Sequence, residues 1–147
     1  MTPDQKTLVR ETWQRLLPIA DAAAALFYDR LFEIDPDLRP LFRRTDMREQ
    51  RLRLVRAIGM AVEGLDEPEN LVHIVTELGH RHAGYDVEDR HYDLVGAALL
   101  WTLERGLGPA WTPEVADAWA SLYGFLSGIM REAAKPASLS LPDPVAA

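Results

Sequence analysis

The feature that most constrains this chain is a rhythm. Apolar residues recur at three- and four-residue spacing, and each run is fenced by a capping residue, a proline or a glycine. That is the period of an amphipathic helix, and no stretch shows the sustained alternation of a half-buried strand. Thr2-Pro3-Asp4-Gln5 opens the first run. Thr2 can cap, Pro3 suits the first helical position and Gln5 is spaced to close a capping box. Leu8, Val9, Thr12, Trp13 and Leu16 face the core, and Pro18 ends or bends the helix. A second run spans about Ile19 to Glu33, small at Ala22 to Ala25 and bulky from Leu26 to Phe32. Between Asp35 and Pro40 two prolines forbid a long helix and leave Leu41-Phe42 on a tight corner. A third helix starts near Thr45 or Asp46, with Asp46 and Glu49 at capping-box spacing and a stripe of Met47, Leu54, Ile58, Ala61 and Leu65. Asp66-Glu67-Pro68 begins a fourth, which Gly84 can close. Asp86 is the expected cap of a fifth, from Val87 or Glu88 to Arg105. Gly106 to Pro109 stops it, and Thr112-Pro113-Glu114 starts the last, to about Ala134. The pattern predicts an all-α domain of six to seven helices over residues 1–135. Beyond it lies a Pro-, Ala- and Ser-containing stretch, 136–147, expected to be a flexible tail.

Composition removes several function classes. A length of 147 residues is most simply one domain with one core. A net charge of −7 argues against a nucleic-acid binder as a whole. With no cysteine there is no disulfide, no thiolate metal site and no C-x-x-C-H haem attachment. No apolar run is long enough to span a membrane and no basic start precedes an apolar segment, so a cytoplasmic location is the expectation. No G-x-G-x-x-G, Walker loop or nucleophile elbow occurs.

The most informative position is His82. On a wheel at about 100° per residue, Leu71, Ile74, Val75 and Leu78 form one apolar stripe and His82 falls on its midline. His73, Glu77 and His80 fall on the opposite side. An imidazole aimed at a core needs a partner for each ring nitrogen. It is either a core histidine bonded to backbone or tyrosine, or an axial ligand to a metal or haem. Other residues carry the same double reading. Phe42 is a plug for its corner or a rigid aromatic set against a flat ligand. Gln50, one turn before Leu54, is a half-exposed surface residue or a polar group aimed into an apolar pocket. The arginines at 43, 44, 48, 51, 53 and 56 form a solvated face paired with carboxylates elsewhere, or a rim for an anionic ligand.

Taken together and in order, several segments resemble the globin family, and within it the single-domain bacterial haemoglobins related to the globin part of flavohaemoglobins. They are Glu11-Thr12-Trp13, Phe27-Tyr28-Asp29-Arg30-Leu31-Phe32, Pro40-Leu41-Phe42, Gln50 with Leu54, Leu78-Gly79-His80-Arg81-His82, His91-Tyr92-Asp93-Leu94-Val95-Gly96, and Asp117-Ala118-Trp119 with Tyr123. The resemblance covers about residues 4–133. It implies a globin fold around non-covalent haem b, with His82 as the proximal iron ligand and Tyr28 and Gln50 on the distal side. Phe42, Leu54, Leu78, Val87 and Tyr92 join His82 in contacting the cofactor. Phe42, Leu54 and Val62 are expected to keep the pocket dry. The second nitrogen of His82 is expected to donate to backbone or to Tyr92.

The resemblance also implies a function. Donors at Tyr28 and Gln50 facing a bound diatomic ligand imply slow release of O2, and NO and CO are further ligands. The flavohaemoglobin branch carries a glutamate where this chain has Ala134, and Glu132, about 200° away round the helix, is not placed to replace it. The proximal imidazole is then expected to be less imidazolate-like, which favours reversible binding over O–O cleavage. No reductase domain follows within the 147 residues. The alternative is a nitric oxide dioxygenase served by a separate reductase; a gas sensor or haem-free regulatory globin comes third. The implied partners are small gases and that reductase, without nucleic acid or membrane insertion, for a monomer or homodimer.

Overall fold

The structure, a computed structural model, describes residues 1–83 and 88–134, with the side chains of 80–83 and 134 outside the description. Six α-helices are present among the described residues: α1 (Pro3–Leu16), α2 (Ala20–Ile34), α3 (Met47–Glu63), α4 (Pro68–Ala83), α5 (Asp89–Leu107) and α6 (Pro113–Ala134). Short 3₁₀ turns at Leu17–Ile19, Pro36–Phe42, Gly64–Asp66 and Gly108–Ala110 join them. No strand occurs among these residues, and none of their helices is long and apolar enough to cross a membrane.

The ends follow local chemistry. Thr2 and Gln5 form the reciprocal capping box, with bonds of 3.1 and 3.0 Å. The Asp46 carboxylate caps α3 by accepting from the backbone N–H groups of Arg48 and Glu49. Thr112 caps α6 through Val115 N–H. The start of α5 differs from expectation. Asp86 lies outside the described residues, and the cap is Glu88, whose carboxylate accepts from the His91 N–H while His91 Nδ1 accepts from the Glu88 N–H at 2.9 Å. A histidine thus takes the place usually held by Glu or Gln in a capping box, a substitution that spacing rules do not anticipate.

The helices bury two main clusters. One joins α1, α3, α5 and α6 through Val9, Trp13, Leu16, Val62, Leu103 and Trp119. Its polar pin is Thr12, which accepts from Trp119 Nε1 at 2.9 Å and donates to the Leu8 carbonyl at 2.6 Å. The other lies where α2 crosses α5 and meets the 36–42 turn, around Phe27, Tyr28, Leu31, Phe32, Leu38 and Ala98. α4 packs chiefly on α6, through Leu71, Val75, Leu126, Ile129 and Met130. Ile74, expected in the core stripe, is 39% exposed. The covered face of α4 centres on Val75 and Gly79, roughly 100° round the helix from Ile74.

Candidate functional site

Four of the sequence-predicted residues, Tyr28, Phe42, Gln50 and Leu54, meet at the second cluster. α2 is bulky at its C-terminal half, so Phe27, Tyr28 and Phe32 project together, and the proline-bracketed turn delivers Phe42 against them. Phe42 lies 5.7 Å from the Tyr28 ring and 5.4 Å from Phe32, both edge-on, and Phe27 meets Tyr28 edge-on at 4.9 Å. Leu54 of α3 packs against the same cluster, as do Leu94 and Val95 of α5. Beside it, between α1, α2, α3 and α5, is a small apolar cavity of about 30 Å³ touched by Trp13, Ala24, Phe27, Leu54 and Leu99. Val62 packs in the first cluster, with Trp13 and Leu65.

Within this apolar wall sits a polar pair. Gln50 Nε2 donates to the Tyr28 hydroxyl oxygen at 3.0 Å, and Arg53 Nη1 approaches Gln50 Oε1 at 3.5 Å. The order of donation matters. The Gln50 amide is turned so that its N–H₂ faces the phenol, and the phenol accepts. Its own proton is therefore left to donate to a third group. Burial is the main influence on the Tyr28 hydroxyl and raises its pKa above the usual tyrosine value, against smaller lowering effects from Gln50 and Arg53. The group remains a neutral donor over the physiological range.

The other expected residues fall on α4 and α5. Leu78 is half-buried on α4. His82 falls within α4, but its side chain, like all of Val87, lies outside the described residues. Tyr92 is buried at the start of α5, and its hydroxyl has no hydrogen-bond partner among the described residues. Burial raises its pKa, with Arg131 pulling the other way. Tyr123 donates to the Tyr92 backbone carbonyl at 2.5 Å, and the Arg131 guanidinium stands 5.4 Å from the Tyr92 ring centre. Arg131 itself is anchored to Asp93 at 2.7 Å and Asp89 at 3.5 Å. Glu132 is exposed.

Phe32, Phe27 and Val95 are wall residues that sequence reasoning did not single out for the site. The four-residue spacing of Tyr28 and Phe32 on one face of α2 was the available signal. A larger cleft, of about 450 Å³, lies elsewhere, between the first turns of α1 and α6. It is lined by Asp4, Gln5, Glu114 and Asp117 and shares no residue with this cluster.

Six described helices, a proline-set aromatic corner and a buried tyrosine bonded to a half-buried glutamine define a class, and comparison with known proteins identifies it. The chain belongs to the globin family: the Globin family model matches residues 25–130. Among similar proteins is the flavohemoprotein of Bordetella pertussis, 33% identical over 132 residues, which cover 88% of this chain and 33% of that protein. The flavohemoprotein of Bacillus subtilis is 31% identical over 128 residues, 84% of this chain and 32% of that protein. The chain therefore spans about a third of the length of these relatives. A bacterial globin structure from Campylobacter jejuni superposes with a TM-score of 0.80 at 23% identity, covering 95% of this chain and 99% of that one.

Haem, as haem b, is the cofactor of this family, and the residues present fit it. The wall is aromatic and aliphatic, as a flat apolar macrocycle requires, and its one polar pair presents an uncommitted O–H. On α5, the buried Tyr92 hydroxyl is a polar atom without a partner among the described residues. No cluster of three or more His, Asp or Glu among the described residues is placed to bind a metal ion directly.

Proposed function

We propose that this protein reversibly binds O2, and also NO and CO, on a haem held by His82, with Tyr28 and Gln50 on the ligand side. When bound, the haem supplies an iron with one open coordination position; the chain supplies everything that tunes it. The observation that carries the reading is the direction of the Gln50–Tyr28 bond. Because the amide donates to the phenol, the phenol proton points onward, and a chain of donors runs Arg53, Gln50, Tyr28 toward the ligand side. Successive donors polarise one another, and a hydrogen bond to a ligand carrying negative charge contributes about 1.5–3 kcal/mol. Phe42, Leu54 and Phe32 keep water from that proton, which strengthens the bond. In this reading His82 holds the iron from the other side, and the unpartnered Tyr92 hydroxyl of α5 is the candidate to orient its outer ring nitrogen.

The reading is tested by measuring O2 dissociation from the haem-loaded protein and its Tyr28→Phe variant. Dissociation is expected to speed up by about tenfold, the effect of about 1.4 kcal/mol. An unchanged rate removes Tyr28 from the mechanism.

A second reading is favoured by the relatives, both of them flavohemoproteins of which this chain matches the globin third. In it the oxygenated protein converts nitric oxide to nitrate and a separate reductase returns the iron to the ferrous state. Mixing the oxygenated protein with nitric oxide, with and without a reductase and reduced nicotinamide, separates stoichiometric reaction from turnover.

A further inference from the structure

α3 is two-faced. Gln50, Leu54 and Ile58 point inward, toward the aromatic cluster and the core. On the outward side, four residues at four-residue spacing form a ridge: Arg48, Leu52, Arg56 and Met60. All four are exposed, Leu52 to 40% and Met60 to 48%. Leu41, 40% exposed, and Arg43 and Arg44 extend the same composition into the preceding turn.

Charge marks this ridge apart from the rest of the molecule. Residues 39–56 carry seven arginines against two carboxylates, a local charge of +5 in a chain of net −7, which leaves −12 on the other residues. Most of these guanidinium groups are not used internally. Arg51 pairs with Asp21, Arg53 reaches Gln50 and Arg39 lies over Phe32. Arg43, Arg44, Arg48 and Arg56 have no ion-pair partner among the described residues. Of the two carboxylates, Asp46 is occupied in capping the helix.

We propose that the outer ridge of α3 is the docking surface for an acidic electron-donor protein, a reduced flavoprotein. The proposal rests on the haem reading above, because only a protein whose iron must be kept ferrous needs such a partner. The step is simple: one electron leaves the partner's reduced flavin and converts ferric to ferrous iron, with no bond made or broken in this chain. The alternation of arginine with leucine and methionine favours a protein over a nucleic acid. Phosphate tracking calls for continuous charge, with aromatic platforms where bases stack, whereas exposed aliphatic side chains ringed by cations match the dry core and charged rim of a protein interface. Unpaired arginines steer an acidic partner and are free to bond it. The position fits the role, since one helix width, about 10 Å, separates the ridge from the face that carries Gln50.

The test uses the haem-loaded protein and a bacterial flavodoxin as the acidic flavoprotein probe. Binding of oxidised flavodoxin is followed by calorimetry, and reduction of the ferric protein by flavodoxin hydroquinone by stopped flow. For the unaltered protein, affinity is expected to fall steeply as salt rises from about 20 to about 200 mM, as the screening length shortens. Arg48→Glu with Arg56→Glu is expected to weaken binding and slow reduction by about tenfold or more. Leu52→Ser with Met60→Ser is expected to weaken binding about threefold with the salt dependence intact. The absorption spectrum and CO binding of each variant are recorded in parallel. No flavodoxin binding, or binding indifferent to charge reversal, overturns the proposal. So does loss of haem from the reversed variant, which would make these arginines part of the cofactor's own rim, or tighter binding to a DNA duplex than to flavodoxin. A haem-loaded protein that binds flavodoxin through the ridge but takes up no O2 or CO overturns the gas-binding reading and leaves the surface standing.

Discussion

Two buried tyrosines, Tyr28 on α2 and Tyr92 on α5, are treated differently. Tyr28 accepts a hydrogen bond from Gln50 and spends half of its capacity inside the protein. Tyr92 is as buried, at 5% exposure against 6%, yet its hydroxyl meets no partner among the described residues. Desolvation lifts the pKa of both phenols. The difference teaches where each hydroxyl is directed. The first is held by Gln50, and under the proposed reading its proton would serve the bound gas. The second is left without a partner among the described residues, and under the proposed haem reading the outer nitrogen of His82 would supply one.

The comparison is broken most severely at His82. His82→Ala is expected to abolish haem uptake, seen as loss of the Soret band on titration with hemin; colour and gas binding that survive the change would refute a single proximal imidazole. Tyr28→Phe comes next, with the roughly tenfold faster O2 dissociation derived above. Gln50→Leu leaves the phenol in place and removes only its orienting donor, so about a threefold acceleration is expected. The double variant should fall short of the product of the two, since the residues act as one unit. Without haem the contrast should reverse its sign. Tyr92→Phe removes an unsatisfied hydroxyl and is expected to leave the melting temperature of the apoprotein unchanged or raised. Tyr28→Phe strands the Gln50 amide and should cost about 1 kcal/mol. In the ferrous holoprotein, Tyr92→Phe is expected to shift the iron–histidine stretching band in resonance Raman spectra, and an unmoved band would separate Tyr92 from His82.

The smallest effect is with pH. Tyr28, Tyr92 and Tyr123 all have pKa values raised by burial, so each favours the neutral form in the folded state. Their stabilising effect is complete below the free-tyrosine value near 10 and fades as pH rises through the folded values. Alkaline unfolding should therefore begin above about pH 10, and Tyr123→Phe should blunt that loss more than it alters stability at neutral pH.

Much of this was legible in the sequence, for reasons that are local. The Thr2–Gln5 box, the Asp46 cap and the proline-set corner are decided within a few residues, and the structure forms each of them. Tyr28, Phe42 and Leu54 pack in one cluster, and Gln50 bonds to the Tyr28 hydroxyl. What escaped depends on partners distant in sequence. Ile74 satisfies the periodicity of α4 but lies off the arc that α6 covers. Val62 faces inward as expected, but toward Trp13 and Leu65, because α1 lies across that end of α3. His91 as a capping partner follows from a bond geometry that no spacing rule encodes.

One contact sets the frame in which all of this operates. A methyl group placed on Gly79 would lie 2.9 Å from the Cα of Met130 and 3.0 Å from its carbonyl oxygen, and neither is the tip of a side chain that can swing aside. Here α4 rests on the main chain of α6, three residues before the histidine expected to hold the iron. Such a seat has no slack. A wider residue at this point would force α4 off α6, and with it the stretch of helix that carries His82.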